Sequence, residues 1–260
     1  MAIKLRSRRE IELMRRAGAV VAGVLSKLQE MAEPGITTAY LDEVACRMTA
    51  AAGAETLFKG VRSPEARQPF PGAICASINE EVVHGIPSKR AVLHEGDVLS
   101  IDFGVRLDGY CGDSALTTPV GKISDGKRRL LDATQEVLGI AVEQARPGVR
   151  WSQVAGQMQR CAEAAGFSVV RDFVGHGIGT EMHEDPKVPN FVSEDLLAND
   201  IVLAEGMVIA VEPMVNAGRA AVRTQGNGWT VVTRDGSCSA HFEHTIAVVK
   251  GGCEILTKRE

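Results

Sequence analysis

Two hydrophobic periodicities alternate along the chain, one helical and one extended. Apolar residues recur at Ile11, Met14, Ala17, Val21, Val24, Leu25 and Leu28, the spacing of one helical face. Ahead of them Ser7-Arg8-Arg9-Glu10 has the form of a capping box, in which Ser7 caps and Glu10 reaches back to its amide. Pro34-Gly35 ends the run. A second helix is expected over 38–52, capped by Thr37 or Thr38 and stopped by Gly53. Residues 58–71 hold three prolines and no period, so they read as a loop. Short strands are expected over 73–77 and 82–84, and a buried strand over 98–104. The second half predicts a helix over 125–146 ended by Pro147-Gly148. Another helix, capped by Ser152, stops at Gly166, and strands follow near 169–174, 207–215, 229–233 and 242–249.

The second half repeats the order of the first. Pro34-Gly35 lies nineteen residues before Gly53, and Pro147-Gly148 nineteen before Gly166. Gly96 precedes Asp102 by six, as Gly206 precedes Glu212; Asp113 lies eight before Gly121, as Glu243 before Gly251. His84-Gly85-Ile86 has a counterpart in His176-Gly177-Ile178. A repeat that occurs only twice is not a solenoid. It reads as a duplicated α+β half, about 7–121 and 124–251, giving a single domain over 1–260 with pseudo-twofold symmetry.

Two acids break the apolar pattern of the strands. Asp102 interrupts Val98-Leu99-Ser100-Ile101 and Phe103, where a bare carboxylate costs several kcal/mol unless a charge, a metal or hydrogen bonds compensate. Asp113 follows after a bend at Asp108-Gly109, and a hairpin would set the two like charges side by side. Taken alone, the stretch also permits a surface Asp followed by a turn Asp. The repeat pairs these acids with Glu212, which interrupts a second apolar strand before Pro213, and with Glu243.

Composition narrows the function classes. The chain has 260 residues, 45% of them hydrophobic, enough for one large core or two small ones. A net charge of −4 and 4% aromatics argue against a basic nucleic-acid face and base-stacking platforms. The six cysteines form no C-x-x-C pair and read as reduced thiols of a cytoplasmic protein. The basic start has no apolar run of signal-peptide type, and Glu10 and Glu12 within it disfavour a transit peptide. No stretch reaches the ~18 apolar residues of a membrane span.

His176 lies in Gly175-His176-Gly177-Ile178-Gly179, whose spacing matches neither a dinucleotide fingerprint nor a P-loop. His183-Glu184 does not continue to an H-E-x-x-H zinc motif. Such a histidine alone reads as a satisfied loop residue; beside four converging acids it reads as a ligand. Four carboxylates and one imidazole balance two divalent cations, and an oxygen-rich donor set with one nitrogen suits Mn²⁺, Fe²⁺, Co²⁺ or Zn²⁺.

The chain closely resembles the type I methionine aminopeptidases of pita-bread fold. The motifs that carry the resemblance are Ser77-Ile78-Asn79, His84-Gly85-Ile86-Pro87, Ile101-Asp102-Phe103-Gly104, Gly112-Asp113, the glycine-flanked His176, His183-Glu184, Val211-Glu212-Pro213 and Phe242-Glu243-His244-Thr245. The resemblance implies an α+β fold of duplicated halves, antiparallel sheet covered by helices, and five metal ligands: Asp102, Asp113, His176, Glu212 and Glu243. It implies removal of the initiator methionine from chains with a small second residue, by attack of a hydroxide held between two divalent ions. His183 would donate to the oxyanion, His84 would contact the scissile nitrogen, and Glu212 would move the proton to the leaving amine. By the same resemblance Cys75, Phe70, Met182 and Trp229 surround the methionine side chain, although Cys75 reads equally well as a core cysteine. Expected partners are nascent polypeptide N-termini, with a transient ribosome contact, no nucleic-acid specificity, no membrane and a monomeric chain. The alternatives are a pita-bread Xaa-Pro peptidase, for whose extra N-terminal domain 260 residues leave no room, and a non-catalytic peptide-binding relative, which should lack ligands.

Three features depart from the family pattern. Cys111 precedes Gly112-Asp113 where relatives often carry His, His241 stands two before Glu243 where a polar amide is common, and the loop 58–71 is unlike the usual Tyr-containing rim. The chain begins at the catalytic part without a Cys-rich extension, so ribosome docking through one is not expected. Met1-Ala2 itself has the form of a substrate.

Overall fold

A computed structural model of the chain describes residues 3–259. Met1-Ala2, with its self-processing reading, lies outside the described residues.

Helix α1 (Arg8–Glu30) carries the expected box: Glu10 N–H donates to Ser7 Oγ, and Ser7 N–H to Glu10 Oε2 at 2.8 Å. Its apolar stripe, including Met14, Val21, Leu25 and Leu28, is fully buried. Helix α2 (Thr38–Ala51) is capped by Thr37. After the two-residue β1 (Glu55–Thr56) come β2 (Cys75–Ile78), β3 (Glu81–Val83), β4 (Val98–Leu107) and β5 (Tyr110–Pro119). Strands β4 and β5 form an unbroken ten-residue hairpin. Asp108 (φ 50°) and Gly109 (φ 82°) make its turn, the two positive φ values of a type I′ corner.

The element order recurs with α3 (Asp125–Gln144) and α4 (Trp151–Ala164). Here one expectation is corrected: Ser152 does not cap α4, whose N-cap is Arg150. Asp200 supplies the cap from a distant segment, accepting Ser152 N–H at 3.0 Å and Ser152 Oγ–H at 2.7 Å. Trp151, fully buried at the first turn, donates Nε1–H to Pro189 O. Then follow β6 (Ser168–Val169), β7 (Gly175–Gly177), β8 (Glu184–Val188), the short α5 (Glu194–Ala198), β9 (Val208–Val211), β10 (Met214–Asn216), β11 (Val222–Thr224), β12 (Val231–Thr233), β13 (Ser239–His241), β14 (His244–Val249) and β15 (Gly252–Ile255). The single strand expected over 207–215 is two, broken at Glu212-Pro213, because Pro213 has no N–H for a ladder. The strand expected over 169–174 ends at Val169.

All strand pairs are antiparallel. One sheet runs β1-β4-β2 with β5 on β4, and another runs β15-β14-β9-β7-β8. Two small sheets, β13-β10-β6 and β11-β12-β3, complete the set. The last of these joins the halves, since β3 comes from the first and β11–β12 from the second. One apolar cluster unites Leu25, Leu99 and Phe103 with Trp151, Ile209 and Ile246, so the two halves share a core. All six cysteines are free, and no helix among the described residues is long and apolar enough to cross a membrane.

Candidate functional site

The hairpin register fixes the first two acids. Asp102 pairs with Ala115 and Asp113 with Gly104, so the carboxylates are diagonal neighbours on one face. The second two acids lie where strands change sheet. Glu212 separates β9 from β10, and Glu243 separates β13 from β14. That break frees the Glu243 backbone to bond to β5: its N–H donates to Ala115 O at 3.0 Å, and Ser114 Oγ–H donates to Glu243 O at 2.5 Å. Thr245 Oγ1 donates to Asp113 O at 2.7 Å and accepts Asp113 N–H at 3.2 Å. The two halves of the chain are thus hydrogen-bonded to each other beside Asp113 and Glu243.

His176 sits on β7, opposite Ala210 of β9. A Cβ on Gly175 would lie 2.3 Å from Ala210 O, and one on Gly177 2.2 Å from Asp185 O, so only glycines let the strand come this close. The ring turns Nδ1 to Gly177 O at 2.9 Å and Nε2 to the acids, 3.6 Å from Glu212 Oε1 and 3.9 Å from Asp113 Oδ2. One donor atom each from Asp113, His176 and Glu243 lies within 4.8 Å of the others.

Burial and mutual repulsion disfavour the charged forms of the four acids. Burial raises the pKa of Asp113 to about 7. Burial, then the charge of Asp113, raises Asp102 well above the carboxylate range. Glu212 is raised by burial, then by Asp102 and Asp113, and Glu243 by burial, then by Asp113, Glu212 and Asp102. Burial, then His183, lowers His176 to about 4, so the ring is neutral and its Nε2 can ligate. Asp102 Oδ1, Asp113 Oδ1 and Glu243 Oε1 are buried without any hydrogen-bond donor. Among the described residues only the imidazoles of His176 and His241 come within 4.0 Å of the acids as potential partners, both made neutral by burial, while the Arg259 charge acts on Glu243 from farther away. Orphaned carboxylate oxygens around one neutral imidazole make a donor set that fits divalent cations, which would stabilise the charged carboxylates that burial disfavours.

The acids and His176 floor a cavity of about 120 Å³ that opens to solvent. His84, His183, Cys75, Phe70, Met182 and Trp229 line its walls, so every site residue expected from the sequence meets there. Two more line it that sequence reasoning missed, Phe58 and Val61. They belong to the 58–71 loop, whose base is closed by Gly60 N–H to Phe70 O and Phe70 N–H to Val61 O, both 2.8 Å. The available signals were the comparison of this loop with the pocket rim and its few apolar residues, Phe58 and Val61 among them. Phe70 meets Trp229 edge-on at 5.3 Å, and Trp229 Nε1–H donates to Gln68 O at 2.9 Å, closing the rim. Burial, then the charges of Asp102 and Asp113, pushes the Cys75 thiol well up. It packs with Phe58 and Phe70 as a neutral wall group.

His84 has left-handed backbone (φ 58°), a conformation that costs a non-glycine residue about 1 kcal/mol and that clusters at functional sites. Burial, then His183, lowers its pKa to about 4. His183 is lowered by burial, and its ring lies 4.4 Å from that of His176. The turn carrying it is held by Glu184, which accepts the Thr180 and Glu181 amides and pairs with buried Arg6.

The model of metallopeptidase family M24 matches residues 12–250. A methionine aminopeptidase of Clostridium acetobutylicum is 48% identical over 248 residues, 95% of this chain and 96% of its own. A crystal structure of a methionine aminopeptidase from Thermotoga maritima matches with a TM-score of 0.93 at 40% identity, covering 99% of this chain and 100% of the other. A prolidase from Pyrococcus furiosus shares the fold, with a TM-score of 0.78 at 21% identity, and this chain covers 66% of its length. The chain belongs to metallopeptidase family M24, among its methionine aminopeptidases.

Proposed function

We propose that this protein removes the initiator methionine from nascent chains and peptides whose second residue is small, using divalent cations held by Asp102, Asp113, His176, Glu212 and Glu243. The observation that carries the reading is the junction of those five side chains with an apolar-walled cavity. Four carboxylates and a neutral imidazole support two cations, of Mn²⁺, Fe²⁺, Co²⁺ or Zn²⁺ type. The chemistry such cations supply is Lewis acidity toward a carbonyl oxygen and acidification of water.

The remaining steps fall to the chain's own groups. Phe58, Phe70, Met182 and Trp229 take the unbranched thioether side chain of methionine and exclude water from it. Neutral His183 donates one N–H to the developing oxyanion, and neutral His84 contacts the scissile nitrogen. Glu212, whose carboxyl is raised by burial and then by its acidic neighbours, accepts a proton and passes it to the leaving amine. We further propose, on the likeness to methionine aminopeptidases, one duplicated catalytic domain acting as a monomer in the cytoplasm, with nascent N-termini as substrates and a transient ribosome contact. The test is Met release from a Met-Ala-Ser peptide with and without a chelator. Release that the chelator abolishes is expected. Cleavage of Xaa-Pro peptides with Met-Ala-Ser left intact would overturn the reading.

A further inference from the structure

Two imidazoles, not one, face the carboxylate of Glu212. His176 Nε2 lies 3.6 Å from Oε1, and His241 Nε2 lies 4.0 Å from Oε2. His241 is absent from the cavity wall; its side chain, 2% exposed, sits behind Glu212 at the end of β13. Its backbone is fixed from both halves of the molecule. His241 pairs with Met214 across the ladder, its N–H donates to Thr117 Oγ1 at 2.8 Å, and Thr117 Oγ1 donates to its carbonyl at 2.9 Å. The ring therefore leaves a clamped strand.

Its Nε2 has no hydrogen-bond partner. A buried polar nitrogen left unpaired costs about 1–3 kcal/mol. Glu212 Oε2 is the carboxylate oxygen toward which it stands, about an ångström beyond hydrogen-bond length. Glu212 follows the last residue of β9 and precedes Pro213, so no strand ladder holds its carboxylate in place. Site hydrogen bonds of this kind are often long until the site is loaded.

We propose that His241 is a positioning residue, whose Nε2–H holds Oε2 of Glu212 and keeps Oε1 turned toward His176. The proposal rests on the reading of Glu212 as a metal ligand. Carboxylate ligands are ordinarily held by such an outer donor, and removing one costs roughly 10–100-fold in metal affinity.

The experiment titrates metal-stripped protein with Mn²⁺ by calorimetry and measures kcat and KM on Met-Ala-Ser. His241→Met removes the donor at similar volume, and His241→Gln keeps one. Expected are a loss of roughly 10–100-fold in Mn²⁺ affinity for His241→Met, with kcat reduced and KM within about threefold. His241→Gln should stay within about threefold of the parent in both readouts. In a Glu212→Gln background, His241→Met should add less than about threefold. Parent-like affinity in His241→Met, equal loss in His241→Gln, or full additivity with Glu212→Gln would each overturn the proposal. Nitrogen NMR of the imidazoles in the parent and in Glu212→Gln needs no His241 variant. A protonated His241 Nε2 whose signal moves with Glu212→Gln is expected, and an unmoved signal would overturn the proposal. Parent-like affinity in Glu212→Gln alone would instead remove Glu212 from the ligand set, and the proposal with it.

Discussion

The two acid-bearing hairpins differ in one respect that matters. In the first half, Asp102 and Asp113 stand in a ladder unbroken from Val98–Pro119 to Leu107–Tyr110. In the second, Glu212 and Glu243 fall in gaps: β9 pairs with β14, β10 with β13, and the acids occupy the junctions. The first turn is two residues, Asp108 and Gly109, whereas the second connection runs from Asn216 to Ser239 and carries β11, β12 and Trp229. One half is an anchor with short acids on a rigid ladder. The other trades ladder bonds for longer acids, a bond from Glu243 N–H to Ala115 O, and a rim for the pocket. In the duplication we propose, one plan has been bent toward two tasks.

Substitution of one acid from each half tests this division with the largest effect. Asp102→Asn should lose metal in elemental analysis and about 10⁴-fold in kcat/KM, roughly 5–6 kcal/mol. Glu212→Gln should retain more metal than Asp102→Asn while kcat still falls. The reverse order of metal contents would break the comparison.

The next effect concerns stability. Arg6 and Glu184 side chains are 6% and 7% exposed, and their pair holds the turn that carries His183. Arg6→Met leaves the Glu184 carboxylate with only the more exposed Lys4, 3.5 Å from its Oε1, as counter-charge and should cost about 3 kcal/mol in denaturant unfolding, the low end for removing one partner of a buried pair. An unchanged unfolding midpoint would show that the turn does not depend on the pair.

His183→Ala should keep the parent's metal content and lose about 10²–10³-fold in kcat, the loss typical of one oxyanion donor. Parent-like turnover would remove His183 from the mechanism.

The smallest effect lies in the long second connection. Asp235 accepts Arg219 N–H at 2.7 Å and Ser237 N–H at 3.0 Å; the Arg219 amide first, then Ser237, lowers its carboxyl to about 2. A depressed pKa means that this stabilisation is full above about pH 3.8 and fades as pH falls toward 2. Thermal midpoints of Asp235→Asn should therefore lie below the parent at pH 6 and approach it as the pH falls below 4. A gap that is constant with pH would contradict the assignment.

Much of this was legible in the sequence because the strongest signals are local. Ser7 and Glu10 declare a capping box three residues apart, and α1 follows with its apolar period. An acid inside an apolar strand is equally local, which is why Asp102 and Glu212 stood out. What escaped depends on distant partners. Ser152 looked like a cap, but Asp200 occupies that role from another segment. The polar strand β8, Glu-Asp-Pro-Lys-Val, exists only because β7 pairs with it. Phe58 and Val61 face the cavity because two backbone bonds close the base of their loop, and no periodicity encodes such a closure. His241 was visible as a residue, but its direction toward Glu212 follows from the clamp on β13, which only the fold supplies.

The most direct measurement is Met release from Met-Ala-Ser by metal-stripped protein as a divalent cation is added back. The result expected is no release from the stripped protein and recovery that saturates near two cations per chain. Release from the stripped protein at the rate of the loaded one would contradict a metal centre built from these acids.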